Sequence, residues 1–543
     1  MVWDFRVLSS QIAPRWVLLL VLGFVALGLL HIHRWLDRVQ REKRLEATLI
    51  SDTRCQDPPR LRYRWPLALD LLIEAFKADQ AGSILQFFLS VVDRTGHTFE
   101  QVLLGARGVD TNDPKNIESV LSTQFENFGL GARSANFRPL LGHGIFTQDG
   151  EPWRTSRELL RPQFMQTRSK SFTDIQEQIE KFLINVKASS AGVVDLQPLF
   201  FRLTLDTTMA VLFGKTLDSM KTKVSGDEAF FARAFDQAQH ELARRGRLGD
   251  LYWLLDGFTF RRSCRIVHEF VDKIVVDALN ETRPGMASEE PTGRYVFLTA
   301  LISKTRDQRV LRDQLINVLL AGRDTTACLL SWTFTLLARH PEIQQRLRNE
   351  CEDLPSFREG GLPTPAEIKG MKFLGHVLQE VLRLFPSVPV NSRSALKTTT
   401  LPTGGGPDGL SPVLVRKGEA VGYCVYAMHR RKDIYGDDAE SFRPSRWDPD
   451  NKEGPDLKGV GWGYLPFNGG PRVCPGQDFA LLEASYTIIR LLQSFRHIEK
   501  AEPSTAKERQ TLTLVVASAT GCKVILTPAL LEGGTLREAE ARF

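Results

Sequence analysis

The sequence predicts a mainly α-helical protein with a minor antiparallel sheet, carried behind a single N-terminal apolar helix. Three observations lead there. Apolar residues recur at helical spacing over 195–214, 228–245, 263–280, 307–340 and 372–385. β-like runs are few and short, at Pro412–Val415, Ala420–Tyr426 and Leu512–Ser518, and glycine clusters around Gly360, Gly404–Gly406 and Gly454–Gly463 punctuate the chain. Finally, Trp16 to Leu30 is wholly apolar apart from small glycines, and no Asp, Glu, Lys or Arg occurs between Arg15 and Arg34, about the length that crosses a hydrocarbon core.

At the front of the chain the expected order is a lumenal N-terminus over 1–15, an anchor over 16–33 and a basic, Pro-containing linker over 34–60. A cleaved signal peptide or a buried helix is the bland alternative. No small-x-small cleavage site follows the run, and HIHRWLDRVQREKR is too charged for a core helix. Arg34, Arg38, Arg41, Lys43 and Arg44 follow the anchor, whereas only Arg6 and Arg15 precede it, so the positive-inside rule places the C-terminal bulk in the cytoplasm. The sequon at Asn280 would then escape glycosylation.

The remainder reads as one large domain over 61–525 and a tail over 526–543. Of 543 residues, 42% are hydrophobic and 25% charged, a globular balance that excludes a disordered, collagen-like or multi-span chain. Lys and Arg number 70 against 64 Asp and Glu, a net +6 that does not point to nucleic acid. The seven cysteines include no C-x-x-C pair, which argues for a reducing compartment rather than a disulfide framework.

The helix from about Asp307 lacks proline up to His340 and would run roughly 50 Å at 1.5 Å per residue. Its middle, Ala321-Gly322-Arg323-Asp324-Thr325-Thr326, is poor helix-interior sequence. Either the glycine admits a closely crossing helix, or the hexapeptide has a chemical task. The sharper signal is Phe467-Asn468-Gly469-Gly470-Pro471-Arg472-Val473-Cys474-Pro475-Gly476, ahead of an apolar helix from Gln477. A lone cysteine is usually a small buried hydrophobe. Directly before a helix, however, the dipole and free N–H groups lower a thiol's pKa and favour a metal-binding thiolate.

These ten residues match Phe-x-x-Gly-x-Arg-x-Cys-x-Gly, and the chain here resembles the cytochrome P-450 superfamily of haem-thiolate monooxygenases. Three further motifs of that family follow its order: Ala321–Thr326 in the long helix, Glu380-x-x-Arg383, and Phe442-x-Pro444-x-Arg446-Trp447, with Ser445 where Glu is common. On the Glu-x-x-Arg helix the apolar residues share one face and Glu380 and Arg383 lie opposite, a pair that alone would be an exposed surface bridge.

The resemblance implies haem b (iron protoporphyrin IX) with Cys474 as axial ligand and Phe467 in the cofactor-binding loop. Arg472, Trp153, Arg157 and Arg393 become candidates for the haem propionates. It further implies Glu380, Arg383 and Arg446 as a structural lock, and Asp324 and Thr325 as the catalytic pair that delivers protons and holds dioxygen. Phe146, Leu320, Ala321, Val388, Val390 and Ser518 would lie near the substrate. No flavin or nicotinamide fingerprint appears, so electrons must come from outside the chain, and the resemblance implies an NADPH-cytochrome P-450 reductase in the same endoplasmic reticulum membrane. Segments 195–214, 401–412 and 425–447 look like the fungal subfamilies that hydroxylate n-alkanes and fatty acids, although Met209-Ala210-Val211 departs from their pattern. The expected reaction is terminal hydroxylation of such a chain. Oxidation of a polyketide or terpenoid, or a haem carrier or sensor without oxygenase activity, stand as alternatives.

Overall fold

The computed structural model describes residues 6–189, 192–220, 226–282, 296–501 and 508–529. The principal helices are α1 (Arg6–Thr53), α2 (Arg133–Leu141), α3 (Gly150–Lys170), α4 (Leu196–Phe213), α5 (Asp227–Arg247), α6 (Phe258–Glu281), α7 (Gln308–Leu337), α8 (Lys372–Leu384) and α9 (Gln477–Ser494). Helices 195–214, 228–245, 263–280, 307–340 and 372–385 are thus present with shifted ends.

The strands are short: β1 (Thr98–Leu103), β2 (Ala106–Thr111), β3 (Phe128–Gly129), β4 (Val193–Asp195), β5 (Val390–Ala395), β6 (Thr399–Gly405), β7 (Ser411–Val415), β8 (Ala420–Cys424), β9 (Phe495–Lys500), β10 (Gln510–Leu512), β11 (Val516–Ser518) and β12 (Lys523–Pro528). The largest sheet has the order β1-β2-β8-β5-β3. One pairing in it, β2 with β8, is parallel rather than antiparallel. About 300 residues separate those two strands, and so long a connection permits either direction. The run 512–518, read as one strand, is a hairpin of β10 and β11 turning at Thr513–Val515.

α7 organises the interior. Its second half, from Ala327 with Trp332 and Phe334, belongs to a core shared with α8, α9 and the N-terminal half of α4. Its first half, through Leu311, Leu315, Leu319 and Leu320, belongs to a second core with α2, α5 and α6. The hexapeptide 321–326 falls at the seam between them. Helix-breaking residues are tolerated there because α4 crosses at that point: a Cβ on Gly322 would lie 2.8 Å from Thr208 Oγ1. The helix runs through the hexapeptide without interruption.

The segment 34–60, expected as a linker, is helical as far as Thr53. Gln, Arg, Glu, Lys, Leu and Ala dominate Gln40–Leu49 and are strong helix formers, so the prolines at 58 and 59 end an element that began inside the apolar stretch. Leu19–Leu30 is exposed, whereas Glu42 and Glu46 reach the domain: Thr398 Oγ1 donates to Glu42 at 3.2 Å and Arg416 Nε to Glu46 at 3.1 Å. Asn280 lies in the last turn of α6.

Candidate haem-thiolate site

The polar face of α8 is not exposed. Segment 442–447 covers it, and Glu380 and Arg383 are both fully buried. Arg383 grips Glu380 through Nε and Nη2 at 2.9 and 2.8 Å and donates Nη1 to the carbonyls of His429 and Ala439. Arg446 Nε adds a bond to Glu380 at 3.2 Å, Trp447 Nε1 one at 2.9 Å and the Arg443 amide one at 3.0 Å, while Arg446 also holds Asp438. Every lone pair of one buried carboxylate is thereby engaged, the condition under which a buried ion pair holds together.

His429 carries this lock to the cysteine loop. Burial and the Arg383 charge depress its pKa to about 3, so the ring is neutral. Its Nδ1 lies 3.1 Å from the Arg383 carbonyl, which fixes the proton there, and Nε2 accepts from the Leu465 amide at 2.8 Å. Two residues on, the Phe467 carbonyl accepts the Cys474 amide at 3.0 Å. The loop between has little room: Gly470 has φ +64°, and a Cβ there would lie 2.0 Å from the Leu121 carbonyl oxygen.

Cys474 precedes α9 and is exposed, unlike buried Cys264, Cys328, Cys351 and Cys522. The helix does not lower its thiol as expected. Desolvation raises the pKa of the thiol, outweighing the Gly476 N–H and the Arg157 charge, so deprotonation would fall to a bound metal.

Beside this loop lies a cluster of cations. Arg472 stacks 4.5 Å over Trp153 and pairs with Asp149 at 2.7 Å, and Arg157 Nη1 donates to the Val473 carbonyl at 2.6 Å. Arg393 on β5 is buried and held by the Ser392 carbonyl at 2.8 Å. Arg133 on α2, which sequence reasoning missed, donates to Ser392 O at 3.2 Å and also to Asn391. Burial, and then repulsion from Arg393, lowers both Arg133 and Arg472 to about 10. One aspartate among four crowded guanidinium groups leaves positive charge to be matched. An open cysteine sulfur with arginines that call for two anionic groups is the donor set a haem and its propionates need, so the residues fit the cofactor.

On α7, Thr325 Oγ1 donates to the Ala321 carbonyl at 2.7 Å, and Ser387 Oγ donates to the Thr325 carbonyl at 3.1 Å. Asp324 is buried, its Oδ1 has no hydrogen-bond partner, and desolvation raises its pKa to about 6 despite Arg323. Of the proposed substrate neighbours, Phe146 donates its amide to Asn317, one turn before Ala321, and Leu320 is buried in the second core. Val390 opens β5 beside exposed Val388. Ser518 stands apart: its hydroxyl meets Thr520 at 3.2 Å and its amide meets Gln197 at 3.2 Å, at the foot of the hairpin. The tip residue Leu514 is the one that packs against the second core, and the sequence gives no sign of the turn that separates them.

Fold and site together define a haem-thiolate oxidoreductase. The family model described as Cytochrome P450 matches residues 63–523. A protein named Cytochrome P450 from Arthroderma benhamiae is 52% identical over 497 residues, covering 90% of this chain and 95% of its own. Cytochrome P450 52A13 from Debaryomyces hansenii is 40% identical over 484 residues, covering 87% and 91%. The crystal structure of the cytochrome P450DA heme domain superposes with a TM-score of 0.70 over 88% of this chain and 97% of that one, and at 21% identity it speaks for the fold alone. The chain belongs to the cytochrome P450 family. It is a monooxygenase that uses haem iron and electrons from a reductase partner, typically NADPH-derived.

Proposed function

We propose that this enzyme hydroxylates the terminal or near-terminal carbon of a long-chain fatty acid or n-alkane. Residues 16–33 would anchor it in the endoplasmic reticulum membrane, with the catalytic domain, 61–525, on the cytoplasmic side, next to an NADPH-cytochrome P450 reductase. The observation that carries the substrate reading is the likeness of segments 195–214, 401–412 and 425–447 to the alkane and fatty-acid hydroxylases. The apolar character of Phe146, Leu320, Ala321, Val388, Val390 and Leu514 agrees with it.

Haem, when bound, supplies dioxygen activation at an iron held by a thiolate. The chain does the rest. Cys474 would ligate the iron, Arg133, Arg157, Arg393, Arg472 and Trp153 would hold the propionates, and Phe467 closes the loop. On α7, Asp324, whose pKa burial raises to about 6, would hold a proton that Thr325 would pass on through its hydroxyl. Replacing Thr325 by alanine is expected to leave folding and haem content intact while diverting NADPH electrons to hydrogen peroxide. Product per NADPH should fall about tenfold or more, read by parallel peroxide and product assays; unchanged coupling would remove Thr325 from the mechanism.

A spectral binding titration from laurate to stearate, with the matching alkanes, tests the substrate class. Each methylene moved out of water contributes about 0.8 kcal/mol, so Kd is expected to fall about fourfold per methylene until the pocket is filled. Flat affinity across the series, with tight binding of a bulky polycyclic compound, would overturn the reading.

A further inference from the structure

Arg323 stands between two carboxylates and serves the outer one. Its Nη1 lies 2.5 Å from Asp236 Oδ1 on α5 but 3.7 Å from Asp324 Oδ1 on its own helix. The first is a close ion pair; the second is too long for a hydrogen bond. The side chain of Asp236 is 58% exposed and that of Asp324 only 9%. The guanidinium is steadied over the rings of Phe201 and Phe235, at 5.5 and 5.7 Å, and the Arg323 carbonyl is fixed by Thr204 Oγ1 at 2.8 Å.

A buried carboxylate oxygen without a partner is costly, and a cation about half an ångström beyond bonding range would ordinarily close on it. What prevents this is the competing acid on α5. We propose that Asp236 is a positioning residue that holds Arg323 off Asp324 and so leaves the Asp324 carboxyl free to take up and release a proton. Closed onto Asp324, the guanidinium would fix it as a carboxylate, because a neighbouring cation favours the ionised form, and a permanently ionised acid cannot carry protons to the site. Arg323 acts only by where it sits.

The inference rests on the reading of Asp324 as proton carrier. Hydroxylation takes up two electrons and two protons for each dioxygen, releasing water with the hydroxylated product. A hydroperoxide instead brings oxygen already reduced and protonated, so a reaction driven by it bypasses external proton delivery.

The test uses the full-length protein reconstituted with reductase in vesicles at matched haem content, with laurate or the tightest ligand of the titration above. Asp236→Asn is expected to lower NADPH-driven product about tenfold, with more peroxide and a larger solvent isotope effect in heavy water, while cumene-hydroperoxide-driven product is unchanged. Asp236→Glu should retain coupling. Adding Arg323→Gln to Asp236→Asn should restore it, because no cation is then left to close on Asp324; loss of mere structural support would not be rescued by removing a second partner. Normal coupling in Asp236→Asn, or a defect that Arg323→Gln does not relieve, overturns the inference. Asp324→Asn separates the two levels: if it leaves coupling intact, the proton-carrier reading fails and this inference with it, whereas if it uncouples and Asp236→Asn does not, the inference alone fails.

Discussion

Replacing Glu380 by alanine is expected to abolish the yield of folded, haem-loaded protein. The carboxylate receives Arg383, Arg446, Trp447 and the Arg443 amide, and neither of the two guanidinium groups can turn to water, since Arg383 is fully buried and Arg446 nearly so. Removing one partner of a buried ion pair costs about 3–5 kcal/mol because the remaining charge is stranded. Here Arg383 is left with carbonyl partners alone and Arg446 keeps only Asp438 of its two carboxylates, against a total stability of about 5–15 kcal/mol. Expression with haem quantified from the absorbance of the reduced carbon monoxide complex is the measurement. Normal yield would show that the carboxylate is dispensable to the lock.

Cys474→Ala is expected to abolish NADPH-driven turnover and to remove the thiolate-type red shift of the Soret band in the reduced carbon monoxide complex. Among the described residues, the other six cysteines are intermediate or buried, and burial pushes Cys264, Cys351, Cys424 and Cys522 up to about 12. None is placed to substitute. A variant that keeps the shifted band would overturn the ligand assignment. The global fold should survive far better than in Glu380→Ala, because the loop is also held by the Phe467 carbonyl and by Asn468 Nδ2 to the Arg472 carbonyl.

Much of this was legible beforehand where the information is local. Periodicity located α4 to α8, and the motif spacing brought Cys474, Glu380 and Arg383 into view. Periodicity alone placed Glu380 and Arg383 on a polar face that ought to be wet. Only the return of the chain at 442–447 makes that face interior, and no local pattern announces it. His429 was invisible for the same reason: a single histidine carries no spacing, and its role comes from partners at Arg383 and Leu465. Arg133 and Asp236 are likewise ordinary helix-surface charges until distant segments meet them. Gly322 shows the converse, since the plain reading, a glycine under a crossing helix, describes what Thr208 does there. Between 34 and 53 the strong helix formers of Gln40–Leu49 carry the helix on, and the prolines at 58 and 59 mark only where it has already ended.

That last element has a mechanical consequence. With 16–33 placed across a bilayer, α1 continues without a hinge, and Glu42 and Glu46 grip Thr398 and Arg416 about 14–20 Å past the apolar stretch at 1.5 Å per residue. The domain is then mounted on a strut rather than hung from a tether. Its height above the lipid and its rotation about the membrane normal would then depend on helix length and on two polar clamps, so a reductase in the same plane would meet a constrained presentation of this enzyme.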